Sequence, residues 1–437
     1  MVAGQLIAYL ERNKLLTPVQ SGFRRFHSTE TLLLRLLSDI YGAIDRSELT
    51  LLALFDVSAA FDTVDHDILL KRLNVSFGLS GNFLEWIGSF LHGRTISVVH
   101  GSTRSRWVPA PYGLPQGSVL GPLLYIIYTT GLDLLLAEHG ALSQLYADDT
   151  QAYLHCLSSN ASSTVRVISQ VLIALRAWMA SNRLRLNPAK TKFIWLGSRQ
   201  QLSKLDLIHL SAEFPDYTFS TSVRDLGVVL DQELTFVPHI NRLSRSCFYQ
   251  LRQLRTVARS LSTGAATTLV HSFVSARLDY CLSLYAGLPS GRLSSLDRIL
   301  RAAARLIGHL PKFGHVTNYM LEVLHWLPVR QRIEYRISSL IWRCQLGLAP
   351  SYLLDLCRPV LSARTGRSLR SAVREVLFVP FARTSTMQSR AFSVVGPVVW
   401  NALPLELRLF PRSLSDTFYK HLKTVLFVRT GVGSASE

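Results

Sequence analysis

Apolar residues along this chain change their rhythm, first mixing helical spacing with short continuous runs and later keeping helical spacing alone. Residues 1–20 read as a helix, and Ser28-Thr29-Glu30 opens a second, with Leu33, Leu36, Leu37, Ile40 and Ile44 on one face. Residues 50–57 (TLLALFDV) are a continuous apolar run ending in one acid, the pattern of a central strand covered on both sides. Asp65-His66-Asp67 then caps a helix carrying Ile68, Leu69 and Leu73, and residues 82–91 continue the helical pattern with Phe83, Ile87 and Phe90 inward. Strand-like segments at 95–100 and 105–108 lead into a Gly/Pro-rich loop at 109–117. The most hydrophobic stretch, 119–137, is broken by Gly121, Pro122, Thr129, Thr130, Gly131 and Asp133. It reads as one buried core helix, not a membrane span.

Residues 142–146 and 150–155 flank Ala147-Asp148-Asp149 with no room for a long connection, which predicts a tight hairpin with the acids at its tip. An amphipathic helix at 165–184, a strand at 191–196 and a further strand-like run at 223–230 complete an α+β unit, an antiparallel sheet with helices on one face. From His239 onward the pattern is helical, over 239–260, 264–285, 291–309 and 328–346, with Pro and Gly between the segments marking a separate region. The last residues, TGVGSASE, read as disordered.

Charge narrows the choice of partner. Lys and Arg number 47 against 29 Asp and Glu, a formal net charge of +18. Such an excess favours polyanions, because neutralised phosphates release counterions. A basic membrane-surface protein or a plain soluble one carries the same signature. The arginines are spread through the second half (Arg242, Arg245, Arg252, Arg298, Arg301, Arg336 among them), which points to a folded basic surface over a disordered arm. Five cysteines, far apart and never in a C-x-x-C pair, suggest neither a disulfide framework nor a zinc finger. The N-terminus, MVAGQLIAYLERNKLL, lacks the long apolar core and cleavage site of a signal peptide.

Three acids carry the chemistry. Asp56 ends a buried strand, and Asp148 with Asp149 occupies a hairpin tip, so apolar secondary structure delivers each to an edge of a sheet. Carboxylates gathered without a cation raise one another's pKa, and a divalent ion reverses that cost. Magnesium favours a few carboxylates together with phosphate oxygens and water. Seen alone, Asp56 reads as a cap of the following turn and Asp148-Asp149 as ordinary hairpin-turn acids.

At this point the residues resemble a known family. Leu54-Phe55-Asp56-Val57-Ser58-Ala59-Ala60-Phe61-Asp62 resembles the first palm motif of reverse transcriptases, Gly113-Leu114-Pro115-Gln116-Gly117-Ser118 their P-Q-G motif, and Tyr146-Ala147-Asp148-Asp149 their Y-x-D-D motif, in the expected order. Leu186-Asn187-Pro188-Ala189-Lys190-Thr191-Lys192 is similar to the fourth motif and Leu226-Gly227-Val228 to the primer-grip hairpin. The resemblance covers residues 15 to about 310, and segments 324–333 (LHWLPVRQRI) and 391–407 look like the C-terminal region of jockey-like LINE elements. The family is thus that of LINE-type, non-LTR retrotransposon reverse transcriptases.

The resemblance implies a right-hand polymerase palm at 51–235, partial fingers at 1–50, a helical thumb at 236–310 and a C-terminal helical region at 311–437. It implies an RNA-directed DNA polymerase with two Mg²⁺ ions, Mn²⁺ as a substitute, held by Asp56, the Val57 carbonyl, Asp148 and Asp149. RNA template, DNA primer or target and deoxynucleoside triphosphates would be the partners, and a membrane would not. Phe61, five residues after Asp56, would sit under the sugar and repel a 2′-hydroxyl, whereas related RNA polymerases, which usually show G-D-D, select for that group. Gln116 and Gly117 would meet nucleotide and template. Lys190 would donate a proton to pyrophosphate or attract the triphosphate, a role Lys192 shares as an alternative. Arg24, in Gln20-Ser21-Gly22-Phe23-Arg24, would touch template or primer phosphate, and Gly227 would lie in the primer grip. The chain lacks the family's R-P-I-type finger strand, an endonuclease and a Cys/His knuckle, so it reads as an N-terminally truncated copy. Its alternative reading is a catalytically silent nucleic-acid-binding relic.

Overall fold

Leu49–Phe55 forms β1, buried at every position except Leu54, and its one polar member, Thr50, pairs its hydroxyl with His155 Nδ1 at 2.8 Å. A hairpin follows later in the chain, β2 (Leu142–Tyr146) and β3 (Asp149–Cys156), and Lys192–Leu196 forms β4. The sheet order is β2-β3-β1-β4, with β3 antiparallel to both β2 and β1. The twofold alternation of a strand sends Leu49, Leu51, Ala53 and Phe55 to one face, where they join Ala152 and Cys156 of β3 and Val165, Ile168 and Leu172 of helix Ala161–Ser181 in a single core. Helices His66–Val75, Asn82–Leu91 and Gly121–Tyr128 fill the rest of that core, the first capped by the Asp65 carboxylate, which accepts from the Asp67 and Ile68 amides.

The computed structural model describes residues 1–311, 313–360, 375–383, 387–413 and 416–430, so the C-terminal tail expected to be disordered lies, but for Thr430, outside the described residues. Contacts gather the chain into two units, one of residues 1–28, 49–195 and 202–220, the other of 29–48, 196–201 and 221–437. The sheet and its helices form the first.

Several elements depart from their expected form. The first helix stops at Arg12, and 13–28 is irregular, with Lys14 at φ +53°. The apolar stretch 119–137 is two helices, Gly121–Tyr128 and Leu132–Glu138. The Thr129 and Thr130 hydroxyls bond back to the Tyr125 and Ile126 carbonyls, and Gly131 turns left-handed at φ +96°. In place of the strands expected at 95–100 and 105–108 there are four exposed two-residue pieces in two small ladders.

In the second unit, the run at 223–230 folds on itself as β5 (Ser222–Asp225) and β6 (Val228–Asp231), because Leu226 and Gly227 both take positive φ. This two-stranded hairpin is a sheet of its own and does not extend β2-β3-β1-β4, contrary to the expectation. The Asp231 carboxylate accepts from the Thr235 and Phe236 amides and so starts helix Val237–Val257. The segment expected to be one helix over 264–285 is Thr263–Val270, a π-helical turn and Ala276–Asp279, halted where Cys281 turns to φ +52°. Helix Thr29–Asp45 joins this unit through buried Glu30, whose carboxylate meets Arg336 at 2.6 Å and accepts from the Ser283 hydroxyl at 2.6 Å. All five cysteines are buried thiols. Among the described residues no helix is long and apolar enough to cross a membrane.

Candidate functional site

Strand register assembles the acids. Phe55 lies opposite Thr150 across the β1–β3 ladder, so the next step places Asp56 opposite Asp149, and Asp148 sits one residue further on in the β2–β3 turn. Like charges directly opposed in a sheet repel. Asp149 is accordingly held up at about 6, first by partial desolvation at the strand end, although much of its surface is exposed, and then by Asp148 and Asp56; Lys190 pulls the other way. Asp148 is raised as well, by burial and by Asp56, with its own backbone amide and Lys190 opposing.

The fourth motif closes the site from β1. The Asn187 amide donates to the Asp56 carbonyl at 2.9 Å and the Ser58 amide to the Arg185 carbonyl at 2.8 Å, a bridge that pairs Val57 with Leu186. Both bonds belong to neighbours of Val57, which leaves its own carbonyl uncommitted to the bridge. The Asn187 carbonyl then accepts from the Lys190 and Thr191 amides, and the tight turn brings Lys190 Nζ to 3.1 Å from Asp56 Oδ2. That oxygen is buried and accepts no hydrogen bond, while the same ammonium donates to Asp56 Oδ1 at 3.3 Å.

The P-Q-G loop docks on the turn after Asp56. The Gly113 amide donates to the Val64 carbonyl and the Leu114 amide to the Phe61 carbonyl, each at 2.8 Å, and Gln116 Nε2 donates to Asp62 Oδ1 at 2.9 Å. Gly113 has φ +85°, and a Cβ there would lie 2.9 Å from the Asp62 carbonyl oxygen, so only glycine allows the approach. Gly117, at φ +80°, faces open space. Phe61 is stacked on Tyr125 at 4.8 Å between centroids and met edge-on by Phe23 at 6.3 Å. Tyr125 is buried, its hydroxyl has no hydrogen-bond partner, and its acidity is suppressed by burial first and then by Asp148, Tyr128, Asp149 and Asp56.

Asp56, Val57, Phe61, Gln116, Gly117, Asp148, Asp149 and Lys190 therefore belong to one unit, and the register, the bridge and the docked loop draw them together. Arg24 is in the same unit, but its Nη1 donates to the Thr17 and Gln20 carbonyls and so holds its own segment. Gly227 belongs to the other unit, in the β5–β6 turn, where a Cβ would lie 3.2 Å from the Tyr280 ring. Reasoning from sequence missed Tyr125, whose only signal was its place in an apolar helix, and Asp62, the partner of Gln116. It also read Gln20 as part of a nucleic-acid grip, whereas its amide is buried against the acid turn.

The donor set suits a divalent cation. An orphaned buried carboxylate oxygen and two carboxyls of raised pKa describe a cluster short of positive charge. Among the described residues no three His, Cys, Asp or Glu groups form a ready-made metal cage. Magnesium commonly takes one or two carboxylates and completes its shell with substrate phosphates and water.

Comparison with known proteins adds the family. A family model described as reverse transcriptase (RNA-dependent DNA polymerase) matches residues 2–230, just over half of the chain. A probable RNA-directed DNA polymerase from transposon BS of Drosophila melanogaster is 32% identical over 271 residues, 60% of this chain and 29% of that protein. The RNA-directed DNA polymerase from mobile element jockey of the same organism is 26% identical over 310 residues, 69% of this chain and 33% of its own length. The matched region thus spans about a third of these relatives. Among solved structures, telomerase from Candida albicans in complex with a fragment of telomeric RNA is similar at a TM-score of 0.42 and 14% identity, covering 80% of this chain and 52% of that one.

Proposed function

Because this chain belongs to the reverse transcriptase (RNA-dependent DNA polymerase) family, we propose that it extends a DNA primer on an RNA template, adding deoxynucleotides at the Asp56, Asp148 and Asp149 cluster. The observation that carries the reading is the convergence of these acids across the β1–β3 register, with Asp149 held near 6 by burial and then by its acidic neighbours. Acids so placed are unfavourable in isolation, and a bound cation would make them favourable.

Asp56, Asp148 and the Val57 carbonyl would hold two Mg²⁺ ions, with Asp149 in support and Mn²⁺ as a substitute. When bound, the ions supply activation of the attacking 3′-hydroxyl and charge neutralisation at the leaving pyrophosphate. Lys190, already at the Asp56 carboxylate, would take up a triphosphate oxygen and donate a proton to pyrophosphate, with Lys192 as the alternative. Phe61, held on the Tyr125 face, would press under the sugar and exclude a 2′-hydroxyl, while Gln116, oriented by Asp62, and Gly117 would line the nucleotide's approach. In this reading residues 51–235 serve as palm, 1–50 as partial fingers, 236–310 as thumb and 311–437 as a C-terminal helical region. Arg24 and Gly227 would contact template and primer.

Primer extension on an RNA template with deoxynucleotides and Mg²⁺ is the test. Asp148→Asn should lower the rate by at least ~10²–10³-fold, the loss typical of one deleted electrostatic stabiliser. Phe61→Ala should admit ribonucleotides. Salt-sensitive binding of primer-template with no extension, unaltered by Asp148→Asn, would overturn the polymerase reading in favour of a silent binding protein.

A further inference from the structure

Residues 19–22 lie along the outer edge of β2 and reach its turn. The Leu145 amide donates to the Val19 carbonyl at 2.9 Å and the Ser21 amide to the Leu145 carbonyl at 2.8 Å, a parallel bridge between Gln20 and Leu145. Beyond Leu145 the main chain turns away, and the Gln20 side chain replaces the missing backbone partner. Its Oε1 accepts from the Ala147 amide at 2.9 Å and from the Gly22 amide at 2.7 Å, and its Nε2 donates to the Ala147 carbonyl at 3.2 Å. Gln20 is only 3% exposed.

Ala147 is the residue that needs such help. It sits at φ +57°, a left-handed conformation that a residue with a Cβ disfavours. Both of its peptide groups are gripped by one planar amide, so the two planes that set the direction of the Asp148 backbone cannot rock independently. Gly22 makes the grip close, because a Cβ built there would lie 2.2 Å from the Ala147 nitrogen.

We infer that Gln20 and Gly22 are positioning residues that clasp the Ala147 turn and thereby fix where Asp148 and Asp149 point. The inference rests on the polymerase reading for its consequence but not for its geometry. Gln20 lies behind the turn and is assigned no contact with nucleotide or metal. It acts through Ala147, as a rigid support outside the carboxylates themselves.

Gln20→Met keeps the buried volume and removes all three hydrogen bonds, which separates clasping from packing. Gly22→Ala keeps the glutamine and pushes the segments apart. Each variant, checked for folding by circular dichroism, is compared with the unchanged chain and with Asp148→Asn. Three measurements are made: hydrogen exchange of the peptide covering 144–150, Mn²⁺ binding to the protein alone, and primer extension resolved into kcat and KM. Either variant should expose the Ala147 amide to exchange, weaken Mn²⁺ binding several-fold and lower kcat by ~10–100-fold with a smaller change in nucleotide KM, as expected when reacting groups are misplaced by about 1 Å. If Gln20→Met leaves exchange and Mn²⁺ binding unchanged, the clasp is refuted whether or not the chain polymerises. If exchange and Mn²⁺ binding change as described while the unchanged chain extends nothing, the clasp stands and the polymerase reading fails.

Discussion

Replacing Asp149 by Asn should make the metal-free protein more stable at neutral pH, and the gain should vanish in acid. The folded carboxyl titrates at about 6 against an ordinary value of 3.8, so folding raises its pKa. A raised carboxyl binds its proton more tightly in the folded state. Its unfavourable contribution is therefore absent below about pH 4, grows as pH rises towards 6 and is complete above that. At about 1.4 kcal/mol per pH unit the full shift is worth about 3 kcal/mol. Asp149 is exposed enough for solvent to screen much of this, and about 1 kcal/mol is the better figure. On a domain of 150–250 residues that is a rise of about 2–4 °C in Tm.

The assay is thermal unfolding of Asp149→Asn beside the unchanged chain in EDTA at pH 4 and pH 7.5, then with Mg²⁺ at pH 7.5. Asparagine should lead by a few degrees at pH 7.5 in EDTA and show no lead at pH 4. Saturating Mg²⁺ should reverse the order, because a cation stabilises the folded form only as far as it binds there. A variant less stable than its parent in EDTA at pH 7.5 would mean that the acids do not oppose one another, and the metal argument would lose its basis.

Other regions give independent tests. His239 accepts from the Val229 amide through Nδ1, and burial, then Arg242 and Arg224, hold its pKa at about 4 against the ordinary 6.5. Its contribution is present above pH 6.5 and lost as pH falls towards 4, up to about 3 kcal/mol, so His239→Gln should flatten the fall in Tm over that window; an identical fall in both proteins would contradict this. Glu30→Ala leaves Arg336 and the Ser283 amide without their buried partner and should cost about 3 kcal/mol by thermal unfolding, with Glu30→Gln milder. A Glu30→Ala protein that melts with its parent would show that the pair contributes nothing. Gly113→Ala places a Cβ against Asp62 at positive φ and should raise the KM for nucleotide through displacement of Phe61 and Gln116, and an unchanged KM would detach the loop from the nucleotide site.

How legible the site was depended on whether local pattern or distant pairing made it. The run 50–57 announced a central strand and 142–155 a hairpin, and both stand as expected, because continuous apolar runs and short turns are local signals. That Asp56 would face Asp149 required the register of strands almost a hundred residues apart, and here the family motif supplied what periodicity does not. The breaks failed for a different reason. Thr129 and Thr130 end a helix through side-chain bonds to the backbone and Gly131 through a left-handed turn, and Leu226-Gly227 turns an apparent strand into a hairpin, none of which hydrophobic spacing records. Gln20 was legible as part of a motif and illegible in its role, because its partner lies 127 residues away.

The same distinction separates the acid cluster from the segment 324–333, LHWLPVRQRI, which resemblance alone also singled out. In that segment the Arg332 guanidinium and two of the backbone amides are satisfied from within the chain. The Trp326 amide donates to the Met320 carbonyl, the Val329 amide to Asp297 Oδ1, and Arg332 donates to the Leu327 carbonyl and to both carboxylate oxygens of Asp279 while lying over the Trp326 ring. Trp326 and Leu327 are each 5% exposed, and Arg332, in the first turn of helix Val329–Gln345, ties that helix to Asp279. A charge such as Arg332, whose carboxylate partner raises no further acid beside it, accounts for itself by stability. Asp56, with a buried oxygen that accepts nothing and two opposed carboxyls across the sheet, does not. Polar groups that folding brings together and leaves unsatisfied are where a partner from outside must complete the chemistry.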